Sequence, residues 1–153
     1  MEIATVLIVV HAAAGSLALI AGLGSVLFKK GSEPHKKTGL TFYFSMLLCG
    51  LSALIVSCLP QHQNPFLFAV GIFSLYFVLS GKSSLRFKHD RPNLFFDRLL
   101  SIVMIITGLL MIFLPILLNN SINIILFVFA ITGISFSLKD LIVFKDAQRL
   151  REG

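Results

Sequence analysis

Every lysine and arginine of this chain falls in one of three short intervals. Five apolar stretches of membrane-crossing length separate those intervals from one another and from loops without a basic residue. Lys29, Lys30, Lys36 and Lys37 follow the first stretch. Lys82, Arg86, Lys88, Arg91 and Arg98 follow the third, and Lys139, Lys145, Arg149 and Arg151 follow the fifth. These are all thirteen basic residues of the chain. The connections after the second and fourth stretches, around Gln61–Asn64 and Asn119–Asn123, carry none. An apolar run of about 18 residues or more reads as a membrane span, and cytoplasmic loops collect Lys and Arg. The pattern predicts an all-α integral membrane protein, a bundle of five transmembrane helices with its N-terminus outside and its C-terminus cytoplasmic. The expected spans are 3–28, 39–59, 65–84, 97–118 and 121–138.

Composition narrows the function classes. Hydrophobic residues make up 56% of the 153 and charged residues only 13%, about half the usual charged share of a soluble domain. The spans leave no room for a soluble module, so 1–153 reads as a single transmembrane domain. A net charge of +6 would suggest nucleic acid in a soluble protein. Here the loop asymmetry accounts for it, and the expected partner is a bilayer with anionic headgroups on the cytoplasmic side, not nucleic acid. Such a protein belongs in a bacterial cytoplasmic (inner) membrane. Glu2 is the only charge before the first span, so that span reads as retained and not as a cleaved leader, which would carry a basic segment in front.

The acids are peripheral in the sequence. Glu2, Glu33, Asp90, Asp97, Asp140, Asp146 and Glu152 all fall in tails or near span ends. Ion-coupled transport relies on carboxylates held inside the membrane, so a small-solute or lipid transporter is the least favoured of three readings. Pro115 is the only candidate break within a span, and broken helices are what such transporters use. Cys49 and Cys58, nine residues apart on one helix, point in opposite directions and read as small packing residues.

His11 is the one strongly polar ionisable side chain well inside a span. At 100° per residue, Ala4, His11, Gly15, Ala18, Gly22 and Ser25 share a face. Small residues on one stripe let helices approach closely. The second span has a stripe of its own: Gly39, Tyr43, Met46, Gly50, Ala53 and Ser57. Antiparallel packing of the two puts Ala53 to Ser57 near the level of His11. The direct expectation is that His11 hydrogen-bonds Ser57 or a backbone carbonyl inside a tight helix pair. The alternative is a ligand site, because an imidazole among glycines leaves room for a flat macrocycle and haem iron takes axial histidine. By depth, His11 and His62 would form an outer pair and His35 and His89 an inner pair. Those four are the candidate cofactor-binding residues, with haem b as the candidate cofactor. No nucleophile–base pair and no strong metal-ligand spacing is visible in the sequence.

The motifs His11-x-x-x-Gly15, His35-Lys-Lys-Thr-Gly39 with Phe42–Tyr43 after it, and His89 in the loop before the fourth span resemble a group of predicted bacterial multi-pass membrane proteins of unknown function. The resemblance covers roughly Val6–Arg98. Asp90, Pro92 and Phe95–Phe96 stand where that group carries an arginine and a Trp-Met pair. It implies a membrane location and singles out the histidines, but implies no reaction. The leading functional expectation is a small polytopic inner-membrane protein without catalysis of its own, an accessory subunit or homo-oligomer beside a membrane partner. The alternative is a b-type haem electron carrier.

Overall fold

The computed structural model describes residues 3–60, 62–86, 94–119 and 123–152. The chain is helical, with no strand among the described residues. Five helices follow in order: α1 (Ile3–Leu27), α2 (Glu33–Cys58), α3 (Pro65–Arg86), α4 (Leu94–Asn119) and α5 (Ile124–Glu152). Each is long and apolar enough to cross a membrane. Helices are the expected answer to lipid, because every backbone donor and acceptor is paired within its own segment.

Two boundaries differ from the sequence reading, for identifiable reasons. α2 begins at Glu33, six residues before the apolar run. Ser32 caps it, its side chain accepting from the His35 amide, and Pro34 occupies the first turn. Glu33 then pairs with Lys37 one turn on, at 3.2 Å. Capping chemistry therefore outweighs the polarity of this segment. α5 continues through Glu152, past the end of its apolar run near Phe144. Pro115 does not break α4, which runs on to Asn119.

The contacts divide the chain into two units, Met1–Val78 and Leu79–Gly153. In the first, α1 lies antiparallel to α2. His11 meets Cys49 and Ser52, Gly15 faces Cys49, Gly22 faces Phe42 and Gly24 faces Thr38. Ala14, Ala18 and Ala21 are the buried residues of α1. Within the α2 stripe, Gly50 faces α3 and not α1. A Cβ at Gly50 would lie 2.8 Å from Leu75 Cδ2, and one at Gly71 would lie 2.9 Å from Leu54 Cδ2. Thus α2 is two-faced, with Phe42, Cys49 and Ser52 turned to α1, and Gly50 and Leu54 turned to α3.

In the second unit, α4 and α5 pack along a seam that repeats every 3.5 residues. On α4 the seam is Asp97, Ser101, Met104, Gly108 and Met111. On α5 it is Leu126, Ala130, Gly133, Ser137, Asp140 and Phe144. All are buried except Asp140, which is half-buried. This spacing keeps one face of each helix on its partner. The glycines set the separation. A Cβ at Gly108 would lie 2.7 Å from Ile134 Cγ1, and Met104 fills the space over Gly133.

Candidate functional site

His11 is held at the contact of α1 with α2. Its Nδ1 donates to the Cys49 carbonyl at 3.0 Å. Ser52 Oγ donates to the same carbonyl at 2.9 Å and lies 3.4 Å from Nδ1. The Cys49 sulfur is 3.5 Å from Nδ1. A carbonyl can only accept, so Nδ1 carries the ring proton. In the neutral ring Nε2 is then the lone-pair nitrogen. The bond is to a backbone carbonyl, one of the two partners the sequence suggested. The other, Ser57, bonds its own helix at the Leu54 carbonyl.

Beside His11 is a cavity of about 440 Å³. Ile8, Ala53, Val56 and Leu67 supply apolar walls, and His62, Gln63 and Asn64 of the turn between α2 and α3 supply a polar rim. His11 and His62, 51 positions apart in sequence, therefore line one space. The turn is ordered by local bonds. Asn64 Oδ1 accepts from the Leu67 amide at the start of α3, and His62 Nδ1 donates to the Pro60 carbonyl at 3.4 Å.

His35 repeats the theme at the other end of the pair. Its Nδ1 donates to the Ser25 carbonyl at 2.8 Å. That carbonyl belongs to the last turn of α1, where helices leave acceptors unpaired. Ser25 lies fourteen residues from His11, about 21 Å along the helix. His35 and His11 therefore do not share a site. His89 lies outside the described residues.

These positions allow haem to be tested as an occupant. A metal-binding histidine commonly donates its second nitrogen to a carbonyl, and His11, His35 and His62 all do so through Nδ1. His11 and His62 are the residues that would hold a haem b at the cavity. The fit of the donor set is therefore partial: one ligand lies within a span, and the other on an exposed turn.

The second unit holds polar groups that the sequence placed only at span ends. Asp97, in the first turn of α4, is 7% exposed and accepts from Ser83 Oγ at 2.5 Å. Asp140 Oδ2 accepts from Ser80 Oγ at 2.7 Å. Two adjacent turns of α3 thus hold the carboxylates of α4 and α5, which brings the ends of these helices that carry Lys82, Arg98 and Lys139 to one level. Ser101 Oγ donates to the Asp97 carbonyl. Continuing the seam register sets Ser137 opposite Ser101, and Ser137 Oγ is buried without a hydrogen-bond partner. Sequence reasoning missed these serines, and it missed Cys49 and Ser52 as the partners of His11. The signal available for the second unit was the 3.5-residue recurrence of small and polar residues.

Searches against family models, curated proteins and solved structures found no match to this chain.

Proposed function

We propose that this chain is a multi-pass protein of a bacterial cytoplasmic membrane, N-terminus outside and C-terminus inside. It serves there as an accessory subunit or homo-oligomer without a reaction of its own. The observation that carries this reading is how His11 and His35 are used. His11 and His35 each direct Nδ1 to a backbone carbonyl of the neighbouring helix, which is the work of a clamp. Meanwhile α1 turns Val9, Leu19, Ile20, Leu23 and Val26 outward, an apolar surface suited to lipid or to another helix. The orientation rests on the three basic intervals, and the likeness to the bacterial membrane group agrees with the location.

A second reading, a b-type haem carrier, is favoured by one observation: His11 and His62 line the same cavity. The test is an absorbance spectrum of haem-supplied protein, oxidised and dithionite-reduced, together with the mass of the complex extracted from its own membrane. The accessory reading expects no Soret band and a defined assembly larger than one chain. A Soret band abolished by His11→Ala, carried by a single chain, would replace it with the haem reading.

A further inference from the structure

The geometry points to an uncharged, hydroxyl-bearing lipid as the occupant of the His11 cavity, its O–H donated to His11 Nε2. The inference goes beyond the accessory reading and stands independently of it.

It starts from the ring. Nδ1 is committed to the Cys49 carbonyl at 3.0 Å, so the neutral imidazole offers the cavity an acceptor and no donor. An acceptor selects a donor. A ketone, an ester or an ether cannot satisfy it, whereas an alcohol, a phenol or a hydroquinone can. The Cys49 thiol is a weak donor, and its sulfur stands 4.0 Å from Nε2.

The walls set the rest of the molecule. Ile8, Ala53, Val56 and Leu67 are apolar, and the cavity volume of about 440 Å³ falls within the range of small-molecule sites, about 300–1,000 Å³. Among the described residues no lysine or arginine lines it, so a phosphate or carboxylate head would enter without a described counter-charge. Ile8 is 44% exposed on α1, which leaves an apolar path outward for a chain or ring substituent. A sealed cavity would take only a small solute. This one suits a lipid whose polar end is a single hydroxyl.

The shared chemistry has two sources, a hydroquinone ring or an alkyl alcohol, and matched probes separate them. The full chain in nanodiscs of fixed lipid is titrated with duroquinol against duroquinone, and with dodecanol against dodecane. Binding is read by calorimetry and by the unfolding midpoint. At least one hydroxyl-bearing probe is expected to bind tenfold or more tightly than its hydroxyl-free counterpart. The ring 15N shift of Nε2 should move on binding, showing that it accepts. Preference for duroquinol assigns the ring class, and preference for dodecanol the alkyl class. His11→Leu should erase the discrimination. Ile8→Trp fills the cavity from its exposed side and leaves the His11–Cys49 bond in place. It should abolish binding with the fold intact, so the test survives if His11→Leu does not fold. Equal binding of a probe and its hydroxyl-free partner, no binding of any probe to wild type, or a Soret band quenched by His11→Leu would each overturn the assignment.

Discussion

The α1–α2 and α4–α5 pairs solve the same problem with opposite use of polar groups. Both are antiparallel, and both bring helices together over small residues. Between α1 and α2 the polar atoms are paired, with His11 on the Cys49 carbonyl, His35 on the Ser25 carbonyl and Ser52 folded back on its own helix. Open space remains next to His11. Between α4 and α5 the space is closed by Met104 over Gly133, and a polar atom is left over at Ser137. Close packing and hydrogen-bond satisfaction are thus separate quantities in this protein. One pair gives up some packing beside a satisfied imidazole, and the other packs tightly around an unsatisfied hydroxyl.

The largest effects are expected at the glycines that set close helix contacts, Gly108 between α4 and α5 and Gly50 between α2 and α3. Gly108→Val and Gly50→Val each insert side-chain atoms where even a Cβ would stand under 3 Å from a neighbouring branched side chain. Each is expected to lower stability by about 1–3 kcal/mol, seen as a fall in the unfolding midpoint in detergent. Substituting Gly39, whose Cβ would meet nothing within 4 Å, should leave that midpoint nearly unchanged.

A smaller effect separates the pairs by sign. Ser137→Ala removes a buried hydroxyl that bonds to nothing, and leaving such a group unsatisfied costs about 1–3 kcal/mol. The variant should therefore unfold at a higher temperature than wild type. His11→Ala removes a satisfied bond, and interhelical hydrogen bonds in membranes average about 0.6 kcal/mol. That variant should unfold at a lower temperature. If both shift downward, Ser137 has a partner in the membrane and the contrast fails.

The smallest expected effect is at the surface. Glu33 and Lys37 are paired at 3.2 Å with both side chains 79% exposed. An exposed pair one turn apart on a helix contributes about 0.3–0.5 kcal/mol. Lys37→Ala should therefore lower the midpoint only slightly, and by less at high salt.

Much of the fold was legible because lipid simplifies the reading. Long apolar runs have one spanning conformation open to them apart from closed barrels, and all five appeared as helices. The small face of α1 was legible too: Ala18 is 1% exposed, and Gly15 and Gly22 meet α2 as the spacing implied. The partner face on α2 was not. Gly50 and Cys49 differ by 100° of rotation, and only contact with α3 shows which neighbour each meets. The same limit applied to chemistry. His11 and Cys49 lie 38 residues apart, on different helices, so neither spacing nor composition could join them. Asp97 read as an interfacial acid by its position in the chain. Its burial depends on Ser83, across a connection whose length says nothing of contact.

That separation of 38 residues has a consequence during synthesis. Ribosomes add about 5–20 residues per second, so the Cys49 carbonyl emerges roughly 2–8 seconds after the His11 ring that needs it. For that interval α1 carries an unpaired imidazole and few hydrophobic partners other than lipid or the insertion machinery. The first helix is therefore a poor candidate for entering the bilayer by itself. The hairpin of α1 and α2 is the smallest piece of this chain in which the histidine arrives with its polar debt already settled.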